Sequence, residues 1–146
     1  MKTKFIFNGI VSLTLLCTLG SCTQHADEPI CFLCDESVII SKTAFDQAPD
    51  DPLTILDLSL DGDCLRITFG ASGCDGESWE VQLIDSGDVG ESYPPRRWLR
   101  LSLDNPELCE AYLTRELSFD IQSLQVGEGS VYLHVEGYEE PLLYDF

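Results

Sequence analysis

The chain has 146 residues, of which 26 are acidic and only 8 are basic, so its formal charge at pH 7 is −18. Nucleic-acid binding depends on basic contacts to phosphate, so this charge excludes nucleic acid as an expected partner. Since 44% of the residues are apolar or cysteine, the composition is that of a folded chain. The length is that of one domain.

Residues 1–21 predict a secretory signal peptide. Lys2 and Lys4 precede an apolar stretch from Phe5 to Leu19, which is shorter than the ~20 apolar residues of a membrane-spanning helix. Residues 19–22, Leu-Gly-Ser-Cys, resemble the lipobox of bacterial lipoproteins. The resemblance implies cleavage before Cys22, palmitate or similar acyl chains on that cysteine, and firm membrane attachment through several chains. The alternative is ordinary cleavage nearby, with Cys22 left as a plain thiol.

Residues 22–50 are predicted to form the lipidated N-terminus and a tether. They are rich in Thr, Gln, Asp and Glu and lack sustained periodicity, although residues 37–41 (Ser-Val-Ile-Ile-Ser) are a candidate for a short first strand. Asp27 and Glu28 are similar to the acidic signals that send lipoproteins of Bacteroidota to the cell surface. We therefore expect an outer-membrane lipoprotein of the cell envelope, either displayed on the surface or facing the periplasm.

Residues 51–146 alternate between apolar and polar side chains with a period of two, which is typical of half-buried strands. Turn sequences such as Asp61-Gly62-Asp63 separate the runs, and only Asn105–Leu113 has a helical pattern. The pattern predicts an all-β domain, an antiparallel two-sheet β-sandwich of Ig-like kind with about seven short strands. The apolar runs are Leu56–Leu60, Leu65–Phe69, Trp79–Leu83, Leu99–Leu103, Leu117–Ile121, Val131–Val135 and Leu142–Phe146.

Five cysteines follow the lipidation site. An exported chain meets an oxidising compartment, so disulfides are expected. The preferred pairing joins Cys74 to Cys109, which ties the predicted Gly-rich turn at residues 70–76 to the segment after Pro106. Cys31 is expected to pair locally with Cys34. Cys64 is then left unpaired.

Metal-binding and catalytic groups are sparse. The spacing of Cys31 and Cys34 would also suit redox chemistry or half a zinc site, but no helical pattern and no second pair support either. His134 with Glu136 or a serine would be the basis of an alternative hydrolase, and the carboxylates in the turns do not follow the spacing of an EF-hand. We predict no cofactor, no metal and no catalytic residue.

Three of the few basic residues after the signal peptide lie in Arg96-Arg97-Trp98-Leu99-Arg100. If Leu99 points into the core, alternation places Arg96, Trp98 and Arg100 together on the outer face of the sheet. An exposed indole between two guanidiniums suits an acidic or aromatic partner, or the face of a sugar ring, and both residue types are enriched at binding hot spots. The alternative is that the arginines stack on the indole and pair with nearby carboxylates.

Several short segments together form a recognisable pattern: Leu19–Cys22, Gly62–Leu65, Ser72–Gly76, Ser78–Glu80 and Cys109. With these segments the chain resembles a group of short, uncharacterised lipoproteins of Bacteroidota, chiefly flavobacteria. This resemblance implies the lipid anchor and the three cysteines of the domain, and it carries no activity. We therefore expect a membrane-anchored, non-enzymatic binding or accessory module that recognises an envelope protein or a glycan. A small envelope hydrolase and a purely structural or inhibitory envelope protein are the alternatives.

Overall fold

The structure is a computed structural model, and it describes residues 34–146. Within this range the chain forms nine strands, one short α-helix and one 3-10 turn. No helix among these residues is long and apolar enough to span a bilayer. The strands are β1 (Glu36–Ser37), β2 (Ile39–Ile40), β3 (Leu53–Asp61), β4 (Cys64–Gly73), β5 (Glu80–Gly90), β6 (Arg96–Asp104), β7 (Ala111–Asp120), β8 (Ser130–Val135) and β9 (Leu142–Asp145). Helix α1 (Lys42–Gln47) lies between β2 and β3, and the 3-10 turn (Gln122–Leu124) follows β7.

The strands form two sheets. One has four strands in the order β1-β7-β4-β3, and the other has five in the order β2-β5-β6-β8-β9. The chain passes from β6 in the second sheet to β7 in the first and back to β8, so β8 runs parallel to β6. The predicted two-sheet β-sandwich is confirmed, and its pairing is mixed, because β1 and β2 also lie parallel to their neighbours.

The core lies between the sheets and is built mainly from the alternate residues that the sequence predicted to point inward. Burying a side chain of this kind contributes ~1.5–3 kcal/mol, so these strands account for most of the apolar stabilisation. The predicted inward residues that are buried include Leu65, Ile67, Phe69, Trp79, Leu83, Leu99, Leu101, Leu103, Phe119, Ile121, Val131, Leu133 and Val135.

The predicted alternation is wrong at the start of β3. Leu56 is 46% exposed, whereas its neighbour Ile55 is 8% exposed and belongs to the core. The register against β4 shifts between Ile55 and Asp57, which is a β-bulge that moves the following residues to the other face. From Leu58 onward the predicted inward positions are correct.

The sandwich begins further toward the N-terminus than the predicted boundary at residue 51. β1 pairs with β7 and β2 with β5, so the five-residue segment 36–40 completes both sheets at one edge. Helix α1 then packs against β5. Ile84 of β5 is completely buried but does not belong to the central core cluster. The helix starts at Ser41, whose hydroxyl accepts a hydrogen bond from Ala44 N (3.2 Å) and so satisfies one of the first free N–H groups.

Two disulfides join distant parts of the described chain. The predicted Cys74–Cys109 bond is present. Cys34 is bonded to Cys64, so the predicted pairing of Cys34 with Cys31 and the predicted free thiol at Cys64 are wrong. The reason is topological, because β1 follows Cys34 directly and brings it to the four-stranded sheet beside the β3–β4 turn. Cys31 and the predicted lipidation site, Cys22, lie outside the described residues.

The predicted helix at Asn105–Leu113 is also wrong. Residues 105–110 are irregular and β7 begins at Ala111. Asn105 donates a side-chain hydrogen bond to Ser72 O (2.7 Å), and the Cys74–Cys109 disulfide fixes the other end of the segment. These two attachments hold the segment against the Gly-rich turn after β4 and leave no free length for a helical turn.

Candidate functional site

Arg96, Trp98 and Arg100 lie on the outer face of the five-stranded sheet, but they do not form one open surface. Arg96 is exposed and Trp98 is 39% exposed. Arg100 instead donates hydrogen bonds to the carbonyl oxygens of Phe45 (2.7 Å) and Ala48 (3.3 Å). These are carbonyls of the last turn of α1, where a cation stabilises a helix.

Arg100 therefore does not belong to an open binding face. Its guanidinium also pairs with Asp50 (3.0 Å), and its side chain is 13% exposed. It fixes the end of α1 on the sheet, and that placement of the helix creates a groove beside Trp98.

The groove, here called the indole groove, has a volume of about 430 Å³ and lies between α1 and the strands β5 and β6. Small-ligand sites have volumes of ~300–1,000 Å³ and mostly apolar walls, and this groove meets both conditions. Its lining is more apolar than that of the acidic depression around Asp50 and Glu136. The residues that line the groove are Lys42, Phe45, Ser86, Asp88, Val89, Gly90 and Trp98.

The indole of Trp98 lies over Gly90 of the neighbouring strand. A Cβ added to Gly90 would come within 2.8 Å of Cη2 of Trp98, so only glycine leaves room for the ring in this position. Toward β8, the indole stacks on the imidazole of His134, with 6.2 Å between ring centres and 22° between planes. The ring is thus held in one orientation while part of its surface stays open.

The rim of the groove is shaped by an irregularity in β5. The register against β6 shifts between Asp85 and Val89. The carboxylate of Asp85 accepts a hydrogen bond from Gly87 N (2.7 Å), and Ser86 Oγ accepts one from Asp88 N (3.2 Å). Gly87 has φ +81°, a conformation that other residues rarely adopt. The bulge brings Asp88 and Val89 to the groove.

A buried ion pair lies beneath that bulge. Arg97 donates to Asp85 through Nε (3.0 Å) and through an Nη atom (2.8 Å), and the two side chains are 6% and 0% exposed. The sequence interpretation missed this pair. Period-two alternation could have found it, because Asp85 lies in phase with the inward-facing Leu83 and Arg97 with Leu99, and a charge facing a core requires a partner.

Arg96 differs from the other cations of residues 34–146. Within this range it has no ion pair, no side-chain hydrogen bond and no ring contact. Each of the other cations has a partner. Four form ion pairs: Lys42 with Asp46, Arg66 with Asp61 and Glu116, Arg97 with Asp85, and Arg100 with Asp50. Arg115 lies over the ring of Trp79 and donates a hydrogen bond to Gly76 O. Arg96 is therefore an unengaged positive charge next to Trp98 on an otherwise acidic molecule.

The groups considered for catalysis are not arranged for it. Nε2 of His134 is buried and has no hydrogen-bond partner in the described chain, so the imidazole is not paired with a serine or with Glu136. Within residues 34–146 no group of three or more His, Cys, Asp or Glu side chains could hold a metal ion. The geometry at His134 is that of a ring supporting Trp98.

A second polar cluster surrounds Glu107, and the sequence interpretation missed it. Glu107 Oε2 accepts hydrogen bonds from the backbone N–H groups of Cys74, Asp75 (3.3 Å) and Gly76 (3.1 Å), and Oε1 accepts one from the Ser78 hydroxyl (2.9 Å). Desolvation raises the pKa of Glu107, but these hydrogen bonds outweigh it and lower the pKa to about 2. The carboxylate closes the Gly-rich turn from within the chain, so this cluster is structural.

No protein-family model matches the sequence, and neither does any curated protein sequence. Solved structures with a similar fold include a NigD-like immunity protein from Bacteroides caccae (12% identity, TM-score 0.56), a toxin-related protein from Parabacteroides distasonis (13%, 0.53) and a protein of unknown function from Bacteroides vulgatus (16%, 0.52). The matches cover 74%, 76% and 78% of this chain, and 57%, 59% and 58% of those chains, respectively. The chain thus spans less than two thirds of their length, and the likeness shows the fold alone.

Proposed function

We propose that the protein is a lipid-anchored, non-enzymatic binding module of the cell envelope, and that it binds its partner in the indole groove. The observation that carries this proposal is Trp98, an indole held rigidly between Gly90 and His134 with 39% of its surface exposed. Tryptophan is enriched at binding hot spots because a rigid aromatic ring offers a large contact area at little entropic cost.

The membrane anchor of this proposal is Cys22, and the disulfides support the export that such an anchor requires. The two disulfides fit an oxidising compartment outside the cytoplasm. The sandwich is attached to its N-terminal segment at Cys34 by one of these bonds, so only the 12 residues after Cys22 separate it from the lipid. Such a segment spans at most ~40 Å when extended, which keeps the groove close to the membrane. The outer membrane is the proposed location.

The proposal is tested by capturing partners with the full-length protein in mild detergent, from envelope protein and glycan fractions of the source cells. Trp98→Ala should lose the partner. Tyr112→Ala is the matched control, because Tyr112 is 60% exposed and lies over Gly70 on the outer face of the other sheet. A partner retained equally by both variants would rule out the groove as the binding site.

The anchor has its own test. Cys22→Ala should abolish labelling with radioactive palmitate and should move the protein from the membrane fraction. Membrane fractionation that is unchanged in Cys22→Ala would contradict the proposed anchor.

An inhibitory role is the second candidate, and one fold neighbour gives it some support. The Bacteroides caccae structure is described as a NigD-like immunity protein, so the same fold occurs in a protein with that description. This role predicts a protein partner whose activity falls on binding, and no bound glycan. The capture experiment separates the two, because it samples protein and glycan fractions independently.

A further inference from the structure

We infer that the indole groove binds an acidic saccharide, one that carries a hexuronic acid residue, with the sugar ring on Trp98 and its carboxylate on Arg96. The inference rests on the proposed function and names the chemical class of its ligand. It follows from two charged groups near the indole: Arg96, an unengaged cation that borders the groove two residues before Trp98 on β6, and Asp88, a carboxylate without an ion pair that lines the groove.

The indole supplies the surface for the sugar ring. The C–H groups on one face of a pyranose carry partial positive charge, and the face of an aromatic ring is negative. Trp98 lies over Gly90 of β5, where no Cβ occupies the space that the ring takes, and it stacks on His134 toward β8. The groove of about 430 Å³ has the size of a small-ligand site, whereas a stable protein interface needs ~800 Å² on each partner.

Arg96 supplies the charge selectivity. It lies two residues before Trp98 on the same face of β6, a spacing of about 7 Å along a strand, and its Cβ lies beside Gly90. A guanidinium binds a carboxylate through two parallel hydrogen bonds. The whole chain has a net charge of −18, and the other cations of residues 34–146 contact carboxylates, carbonyls or an aromatic ring. Within this range Arg96 is therefore the cation left to attract an anion.

Asp88 orients the ligand. Its side chain is exposed, lines the groove and has no ion-pair partner in the described chain. An ionised carboxylate accepts hydrogen bonds and cannot donate them, so it binds sugar hydroxyls and repels a second carboxylate. The uronate carboxyl group is therefore directed to Arg96, and the hydroxyl groups are directed to Asp88.

The test is a titration of the full-length protein in mild detergent with the methyl glycosides of galacturonic, glucuronic and mannuronic acid, each of which carries one carboxylate, followed by calorimetry. The carboxyl-reduced form of each sugar serves as its neutral counterpart. At least one acidic sugar should bind roughly tenfold or more tightly than its reduced form, the scale of one charge-assisted interaction. The preference should shrink at high salt, because exposed charges are screened.

Arg96→Gln should reduce the affinity for the acidic sugar to that for the reduced sugar, and Trp98→Ala should abolish binding of both. Arg66→Gln is the charge-matched control, since Arg66 lies on the other sheet and pairs with Asp61 and Glu116, and it should leave binding unchanged. Thermal unfolding of each variant checks that the fold is intact.

Three results would overturn the inference: no binding of any of the three acidic sugars, equal affinity for acidic and reduced forms, or an unchanged preference in Arg96→Gln. A protein partner captured through Trp98 without any uronate binding would refute the saccharide and leave the binding module intact. If the protein neither captures a partner through Trp98 nor binds a uronate, both the binding module and the saccharide are refuted.

Discussion

Replacing Arg97 by methionine keeps an unbranched apolar stem but removes the guanidinium and its charge, which leaves the Asp85 carboxylate buried without its cation. Both groups are almost completely excluded from solvent, at 6% and 0% exposure. Breaking a buried pair by removing one partner costs ~3–5 kcal/mol, because the remaining charge has lost both water and its counterion. A domain of this size has a total stability of ~5–15 kcal/mol, so roughly a fifth or more of it should be lost.

The assay is urea unfolding at neutral pH under non-reducing conditions, followed by tryptophan fluorescence, since Trp79 is buried and Trp98 is half-exposed. Arg66→Met is the matched control. Arg66 is 38% exposed and lies 3.4 Å from Asp61 and from Glu116, and exposed pairs of this kind contribute ~0–1 kcal/mol. Arg97→Met should therefore be the less stable variant by at least ~2 kcal/mol.

A double replacement separates the ion pair from the rest of the bulge. Asp85→Leu with Arg97→Met removes both charges, so the large penalty of an isolated charge should disappear. A smaller cost of ~1–3 kcal/mol remains, because Gly87 N loses the carboxylate that accepts its hydrogen bond. The reasoning is refuted if Arg97→Met costs no more than Arg66→Met, or if the double variant is less stable than Arg97→Met.

Three further predictions concern other contacts. The double variant Cys34→Ala with Cys64→Ala opens a loop of 30 residues. The loop entropy should lower the free energy of unfolding by about 3.6 kcal/mol, as measured by urea unfolding. A decrease below ~1 kcal/mol would contradict this prediction. The pKa of Glu107 is lowered from 4.5 to about 2, so the folded protein should lose stability as the pH falls through this window. Glu107→Gln should lose less stability over this pH range, as measured by the melting temperature of both proteins at a series of pH values. If the melting temperature of both proteins fell equally with pH, the prediction would be contradicted. Gly90→Ala should displace the indole of Trp98 and weaken partner binding, as measured by capture. The melting temperature should change little. Unchanged binding would show that the position of the ring is unimportant.

The two-sheet architecture could be predicted because a strand buried on one face must alternate, and each of the seven predicted runs became a strand. Bulges interrupt that rule without leaving a pattern of their own. At Leu56 the sequence reads as a continuation of the inward-facing series, and only the pairing with β4 shows that Ile55 takes the core position. The same applies to residues 86–88, where the bulge in β5 forms the rim of the groove.

The bond between Cys34 and Cys64 could not be predicted from the sequence, although the bond between Cys74 and Cys109 was. The interpretation paired Cys34 with its neighbour in the chain, because spacing was the only distance available. In the structure Ser37 and Cys64 lie on either side of Asp120 in β7, which brings the start of the sandwich to the β3–β4 turn. No local pattern specifies this register, since β1 is two residues long and gains its place from the sheet that it completes.

The groove shows how an error about one segment spreads to another. Arg96, Trp98 and Arg100 were predicted to form one binding surface on the outer face, yet Arg100 is bound to the end of helix α1. That helix lies in residues 42–47, which the sequence assigned to the tether, and it supplies Lys42 and Phe45 to one wall of the groove. A chain that began at the predicted boundary of residue 51 would therefore keep Trp98 but lose the opposite wall. Binding experiments on such a fragment would test an open sheet face, and their failure would say nothing about the groove.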